Sequence, residues 1–279
     1  MLRVALKMLL GDRAKYVGLL FGVTFTSFLV TFAASYFCGF MTRGFALIAE
    51  NPTADVWVMD PAVASAEQTA NMPDSALDRV RSVDGVLSAV PLALGTADVR
   101  FPNGRFQPFQ IIGVDDATLS GVPGLKDGAS PAVLRTPDAA IVDPGGTEGK
   151  LETPLLEVDQ WPGEPHLDVA TRPLIVGDEL LVNDNRVRIA GTSEALPRYP
   201  PRPLLYTTLS NANRILLPER HRLTFVLATA TPGVAPNQLA ERIQARTGLK
   251  ARASDDFKDR KSTRLNSSHS AKSRMPSSA

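Results

Sequence analysis

The distribution of apolar and polar positions changes character near residue 41. Residues 17–40, VGLLFGVTFTSFLVTFAASYFCGF, run 24 positions without a charge. As a helix this stretch would span ~36 Å, more than a hydrocarbon core of about 30 Å. Before it, Leu2, Val4, Ala5, Leu6, Met8, Leu9 and Leu10 interleave with Arg3 and Lys7. That pattern predicts a short amphipathic helix on a membrane surface.

Beyond residue 41 the apolar runs are short and punctuated by Pro and Gly. ADVWVM (54–59) reads as a strand, followed by a helix over 73–82 with Leu77 and Val80 on one face and Asp74 as candidate N-cap. Gly85 and a strand over 86–90 complete a strand–helix–Gly–strand order. The same order recurs at the far end: a strand over 223–229, Pro236 at a first helical position, Leu239 and Ile243 on one face, Gly248 as stop, and a strand over 249–253. Between them lie candidate strands at 97–101, 109–114, 140–142, 179–182, 186–190 and 204–207, with Asn183-Asp-Asn185 as a tight hairpin turn. Residues 118–135 read as surface loop, and no repeat of 20–50 residues is present.

The pattern predicts an α+β chain with these parts: a cytoplasmic amphipathic segment at 1–16, a transmembrane helix at 17–40, and a split α/β subdomain at 41–115 and 222–258. A β-rich subdomain is inserted at 116–221. Residues 259–279 are polar and Ser/Arg-rich, and they resemble the translation of a sequencing adapter rather than native sequence.

Setting that tail aside changes the charge. It holds five of the 30 Lys/Arg and one of the 29 acids, so the remainder carries about −3 instead of +1. Nothing in this balance favours a nucleic-acid partner. Arg3, Lys7, Arg13 and Lys15 precede the apolar run against Asp12 alone, whereas 41–258 hold 21 basic and 27 acidic residues. The positive-inside bias predicts a cytoplasmic N-terminus and an outer domain at 41–258. A cleavable leader ending near Ala33-Ala34-Ser35 is disfavoured because the apolar run continues through Tyr36 and Phe37. Phe37 before Cys38 argues against a lipoprotein signal, and this lone cysteine allows no intrachain disulfide.

Within the apolar helix, Gly18, Gly22 and Thr26 form a small-residue line at GxxxG spacing. It suits close helix packing, although glycine is also common in membrane helices generally. No catalytic constellation is found. PGGTEGK (144–150) has Pro144 where a phosphate loop needs its first Gly, and Leu151 where it needs Ser or Thr. His166 and His221 lack metal-ligand spacing. Asp115-Asp116 and Asp255-Asp256 are adjacent acids that a strand would point apart. No G-x-S-x-G occurs, and Trp57 and Trp161 read as packing residues. These observations argue against an enzyme, and no cofactor or metal site is predicted.

Several pieces together resemble the permease subunits of the MacB/FtsX/LolC class of ABC transporters, in particular the DevC-like branch. They are the basic start MLRVALKMLLGDRAKY (1–16), the apolar helix, NPTADVWVMD (51–60), IIGVD (111–115), VGDEL with VRIAG (176–180 and 187–191), and FVLA (225–228) followed by Pro232-Gly233. The resemblance implies a bacterial inner-membrane protein with four helices and a periplasmic domain between the first and second. It also implies a second permease copy, a cytoplasmic ATPase subunit that binds the ATP, contact with membrane lipid, and in DevC-like members a membrane fusion protein. On this reading the chain is a truncated permease, expected to be unable to support transport alone. The alternative is a single-pass receptor or sensor with a periplasmic ligand-binding domain. A membrane-anchored periplasmic enzyme has no residue pattern in its favour.

Overall fold

The computed structural model describes residues 13–44, 47, 51–63, 70–126, 128–147, 149–160, 164–195, 201–217 and 223–255. Most of the expected 1–16 segment, the 259–279 tail, Trp161, His221 and Asp256 lie outside them. The chain forms two compact units that divide after Arg43.

The first unit is helix α1 (Arg13–Gly44). Its stretch Tyr16–Gly39 is long and apolar enough to cross a membrane, and its large side chains are exposed. Phe21 stacks on Phe25, Phe28 on Phe32, and Phe32 on Tyr36, so aromatic rings line one side.

The second unit is built on a nine-stranded sheet. Its strands are β1 (Val56–Met59), β2 (Val86–Arg100), β3 (Phe106–Val114), β4 (Ala139–Asp143), β7 (Glu179–Val182), β8 (Asn185–Thr192), β9 (Leu204–Thr208), β10 (Phe225–Ala230) and β11 (Lys250–Ala253). Two short strands, β5 (Glu152–Pro154) and β6 (Thr171–Pro173), pair apart from it as a small arm. Three helices accompany the sheet: α2 (Ser75–Arg81), α3 (Leu209–Ile215) and α4 (Pro236–Thr247).

The strand order is β11-β1-β10-β2-β3-β9-β4-β8-β7. Strands from 41–115 and 222–258 thus occupy one end of the sheet, and those from 116–221 the other. The two sets meet at the parallel pair β3–β9. The far end of β2 also pairs with β7, Val99 opposite Val182, so β2-β3-β9-β4-β8-β7 close into a ring. β2 and β3 therefore serve both halves of one unit.

Alternation fixes which side chains enter which core. On β1, Trp57 and Met59 face one cluster with Phe225 and Leu227 of β10. Val56 and Val58 face the other, with Val226 and Ala228, under α2 and α4. Inside the ring lie Val99, Phe101, Phe109, Ile111, Val142, Leu180, Val182 and Ile189, sealed by Ala212, Ile215 and Leu216 around α3.

The local signals explain much of this. α4 carries Pro in its first turn, and Gly248 caps it at φ 68°. Asn183 and Asp184, at φ 47° and 60°, make the two-residue turn of β7–β8, with Val182 opposite Asn185. Two expectations need correction. Asp74 does occupy the N-cap position of α2 but makes no side-chain cap bond. Its backbone is already α-helical, whereas a capping side chain works from an extended one. The separate strands expected at 86–90 and 97–101 are one strand, β2, running through Pro91 and Gly95. A Cβ at Gly95 would lie 2.7 Å from a Leu216 methyl, so a larger residue there would have to displace that side chain.

Candidate functional site

Three places on the chain were open to functional interpretation: the helix face, the acid- and glycine-bearing loops, and the sheet end where the first and last described strands of the second unit meet. On α1, a Cβ added at Gly18 or Gly22 would meet nothing within 4 Å. Thr26 Oγ1 donates to the Gly22 carbonyl at 2.8 Å. Its hydroxyl is thus satisfied within the helix, and the face it shares with the glycines presents small surface rather than a free polar group.

The loops are held by their own polar groups. Asp143, buried at the end of β4, accepts from Gly145 N at 2.7 Å and from Ser193 Oγ at 2.9 Å. At Gly145 (φ 58°) a Cβ would fall 1.8 Å from the Arg202 carbonyl, so only glycine fits. Thr147 Oγ1 donates to the Pro144 carbonyl. An amide and a hydroxyl of the 144–150 loop are thereby committed to structure. Asp115 accepts from Thr118 N and Oγ1 at 2.8 Å, while Asp116 faces Ser210 N at 3.4 Å, so the two acids serve different elements. His166 is exposed, and Trp57 is fully buried edge-on to Phe225 with centroids 5.3 Å apart. Among the described residues no group of three His, Cys, Asp or Glu could hold a metal. An open groove of about 490 Å³ runs between α4 and the sheet edge at β11, lined by Asn237, Glu241 and Gln244 among others.

The β11-β1-β10 end of the sheet is tied by backbone pairing and by side chains. β1 pairs antiparallel with both β10 and β11, so residue 56 lies opposite both Ala228 and Ala253. Asp55 accepts from Ala230 N through its carboxylate and from Ser254 N through its carbonyl. Ser254 Oγ donates to the Ala54 carbonyl, and Lys250 Nζ to that of Val63. Asn51 Nδ2 donates to the Leu47 carbonyl, and Gly121 packs against its side chain. The first and last of the described strands are thus neighbours in the sheet. The matching end elements pointed to such a meeting; the hydrogen bonds of Asp55 and Ser254 had no sequence signal.

The arm is anchored separately. Arg172 and Asp178 form a two-pronged ion pair at 2.7 and 2.8 Å, with side chains 28% and 15% exposed. Burial alone would push the Asp178 carboxyl up. The hydrogen bonds from Arg172 and from Ile175 N, with the Arg172 charge, outweigh it and hold the carboxyl below its ordinary value. Arg105 lies 4.5 Å above the Phe101 ring and donates to the Lys150 and Glu152 carbonyls, joining β5 to the β2–β3 hairpin.

No protein-family model matches the chain, and no curated protein does. Among solved structures it is similar to the periplasmic region of MacB from Actinobacillus actinomycetemcomitans, at 15% identity over 76% of this chain and 94% of that one, with a TM-score of 0.48. It is also similar to the extracellular domain of the noncanonic ABC-type transporter YknZ from Gram-positive bacteria, at 12% identity over 72% and 98%, with a TM-score of 0.43. At this distance the likeness says nothing of substrate or partner.

Proposed function

We propose that the chain is the N-terminal part of the membrane subunit of an ABC exporter of the MacB/FtsX/LolC class, DevC-like in its branch. On this reading α1 crosses the bacterial cytoplasmic membrane with its N-terminus inside, and residues 41–258 stand in the periplasm. The observation that carries it is the pairing of β1 with β11. A domain whose first and last described strands are neighbours is suited to insertion between two membrane helices, because both connections leave from one place. The apolar α1 and the ordered motifs of the sequence support the same assignment.

The partners follow from that reading: a cytoplasmic ATPase subunit, a second permease copy and a periplasmic fusion protein. Gly18, Gly22 and Thr26 would form the face on which another membrane helix packs. The periplasmic domain would pass ATPase-driven motion to substrate outside the membrane.

Two measurements test the proposal. Alkaline phosphatase fused after Ser254 should be active, and a fluorescent protein fused there should stay dark; the reverse pattern overturns the orientation. The source DNA beyond codon 258 should encode three more apolar helices. A kinase or a methyl-accepting coil there would replace the exporter by a sensor.

A further inference from the structure

The segment before β1 meets the loop after β3 at one buried point. Asn51 is 2% exposed, and its Nδ2 donates to the Leu47 carbonyl at 2.9 Å. Its Oδ1 is buried and has no hydrogen-bond partner among the described residues. Gly121 packs so closely on that oxygen that a Cβ there would come within 2.2 Å of it. An acceptor left unpaired in the interior is destabilising, because water would satisfy it outside. The loop itself is strained. Gly121 sits at φ 90° and Leu119 at φ 52°, a left-handed conformation unfavourable for leucine. Leu119 is nonetheless nearly buried, in one cluster with Leu47, Trp57, Leu134 and Tyr206. Three hydrogen bonds of 2.8–2.9 Å hold the loop: Leu119 N to the Asp115 carbonyl, Thr118 N to the Asp115 carboxylate, and Arg135 Nη2 to the Ala117 carbonyl.

Backbone strain beside packed side chains persists only where the surroundings over-determine it, and it marks elements with two arrangements. We infer that Asn51 and the 115–122 loop form a latch with two states. Closed, Asn51 presses on Gly121 and Leu119 is held left-handed in the core. Open, the Asn51 amide is hydrated, Leu119 returns to an ordinary conformation, and the loop and the segment before β1 separate together. Burial of Leu47 and Leu119 keeps the latch closed. The unpaired acceptor and the strained leucine offset part of that burial, so opening is local and leaves the sheet intact. Opening also has a path outward. Asp116 faces Ser210 N of α3 at 3.4 Å, and Leu125 bridges to Ser193 beyond β8. This device stands apart from the exporter reading and needs none of its partners.

The test is residue-level hydrogen exchange on the full chain in zwitterionic nanodiscs. The reporters are the amides of Ala54, Leu119 and Val122, which donate to the Asn51, Asp115 and Leu119 carbonyls. They should share one protection factor, lower than that of β3 and β9. Gly121→Ala should lower all three roughly tenfold, since it adds a clash with Asn51 and a strained alanine to the closed state. Adding Asn51→Gly should restore most of the protection at Ala54, because the clash is gone. It should restore only part at Leu119 and Val122, where alanine at φ 90° stays strained. Asn51→Asp gives a second readout. An ionised carboxylate has no proton for the Leu47 carbonyl and favours hydration, whereas the protonated acid can donate to it. Relative to wild type at the same pH, this variant should be open at neutral pH and closed below about pH 4. Reclosure by acid is a result that misfolding does not produce. Three outcomes overturn the latch: Gly121→Ala leaving Ala54 unchanged, an equal loss of protection across β3 and β9, or an Asn51→Asp difference independent of pH.

Discussion

The two ends of the sheet bury themselves in different ways. At the β11-β1-β10 end, consecutive residues serve two cores: Trp57 faces one cluster while Val56 and Val58 face another beneath α2 and α4. At the β4-β8-β7 end the sheet curls through the β2–β7 pairing: β7 and β8 bury one face, around Phe101, Phe109 and Val182, while β4 still serves two clusters, Ile141 joining that of Trp57 and Val142 the ring interior. The first end is assembled from segments some 170 residues apart, the second from the local β7–β8 hairpin and from strands some 50 to 80 residues apart. A β1 strand of four residues between two distant partners contributes only through what it buries. The ring also gains from closure, which leaves fewer free edges.

The sharpest way to break this contrast is Trp57→Ala. Its side chain is fully buried against Phe225, and truncation should cost about 3–5 kcal/mol. Hydrogen exchange on the full chain should show β1, β10 and β11 losing protection while β4 and β8 keep theirs. Equal loss in all five strands would mean that both ends unfold as one unit.

A smaller effect should reach both ends at once. Gly113 lies on β3, which the two ends share, and a Cβ there would sit 2.6 Å from Ala212 Cβ. Gly113→Val should destabilise by about 1–3 kcal/mol through overpacking, with exchange rising on both sides. Adding Ala212→Gly should recover part of the loss in chemical denaturation. A double variant no better than the single one would show that α3 does not seal the shared strand.

The two ends also differ in how far sequence reveals them. The β-α-β units declare themselves through β-branched runs, Pro236 and Gly248, each a local cue with one meaning. The ring does not. The strands expected at 86–90 and 97–101 continue through Pro91 and Gly95 as one β2, with the Leu216 side chain packed where a Cβ at Gly95 would lie. α3 is short and holds Ser210, Asn211 and Asn213, poor helix formers; its readable cue is Thr208, whose side chain accepts from Asn211 N. β5 and β6 contain prolines and three residues each, so no period marks them. At Gly18 and Gly22 of the helix, among the described residues nothing lies within 4 Å of an added Cβ.

The Arg172–Asp178 pair asks whether the arm depends on the ring. Asp178→Asn keeps an acceptor for Ile175 N but loses the ion pair, and should cost about 1 kcal/mol at neutral pH. The sign follows from linkage. The folded carboxyl lies below its ordinary value, so its contribution is complete above about pH 4 and fades as pH falls through the folded value. The gap between wild type and variant in urea midpoint should therefore shrink below pH 4. A gap independent of pH would show that the pair contributes by packing rather than by charge.

The smallest effect isolates one corner of the ring. Asp184, at φ 60° in the β7–β8 turn, occupies a conformation that costs most side chains about 1–2 kcal/mol, though Asn and Asp offset part of it by local hydrogen bonding. Asp184→Ala should lose that compensation, at a cost of about 1 kcal/mol. The added exchange should be confined to β7, β8 and the β2 residues opposite them, because Val182 is shared between the turn and the ring closure. If β1 and β11 loosen as well, the ring and the β11-β1-β10 end are coupled through β2 and through the cluster that holds both Trp57 and Tyr206. The contrast between the two ends would then describe packing but not cooperativity.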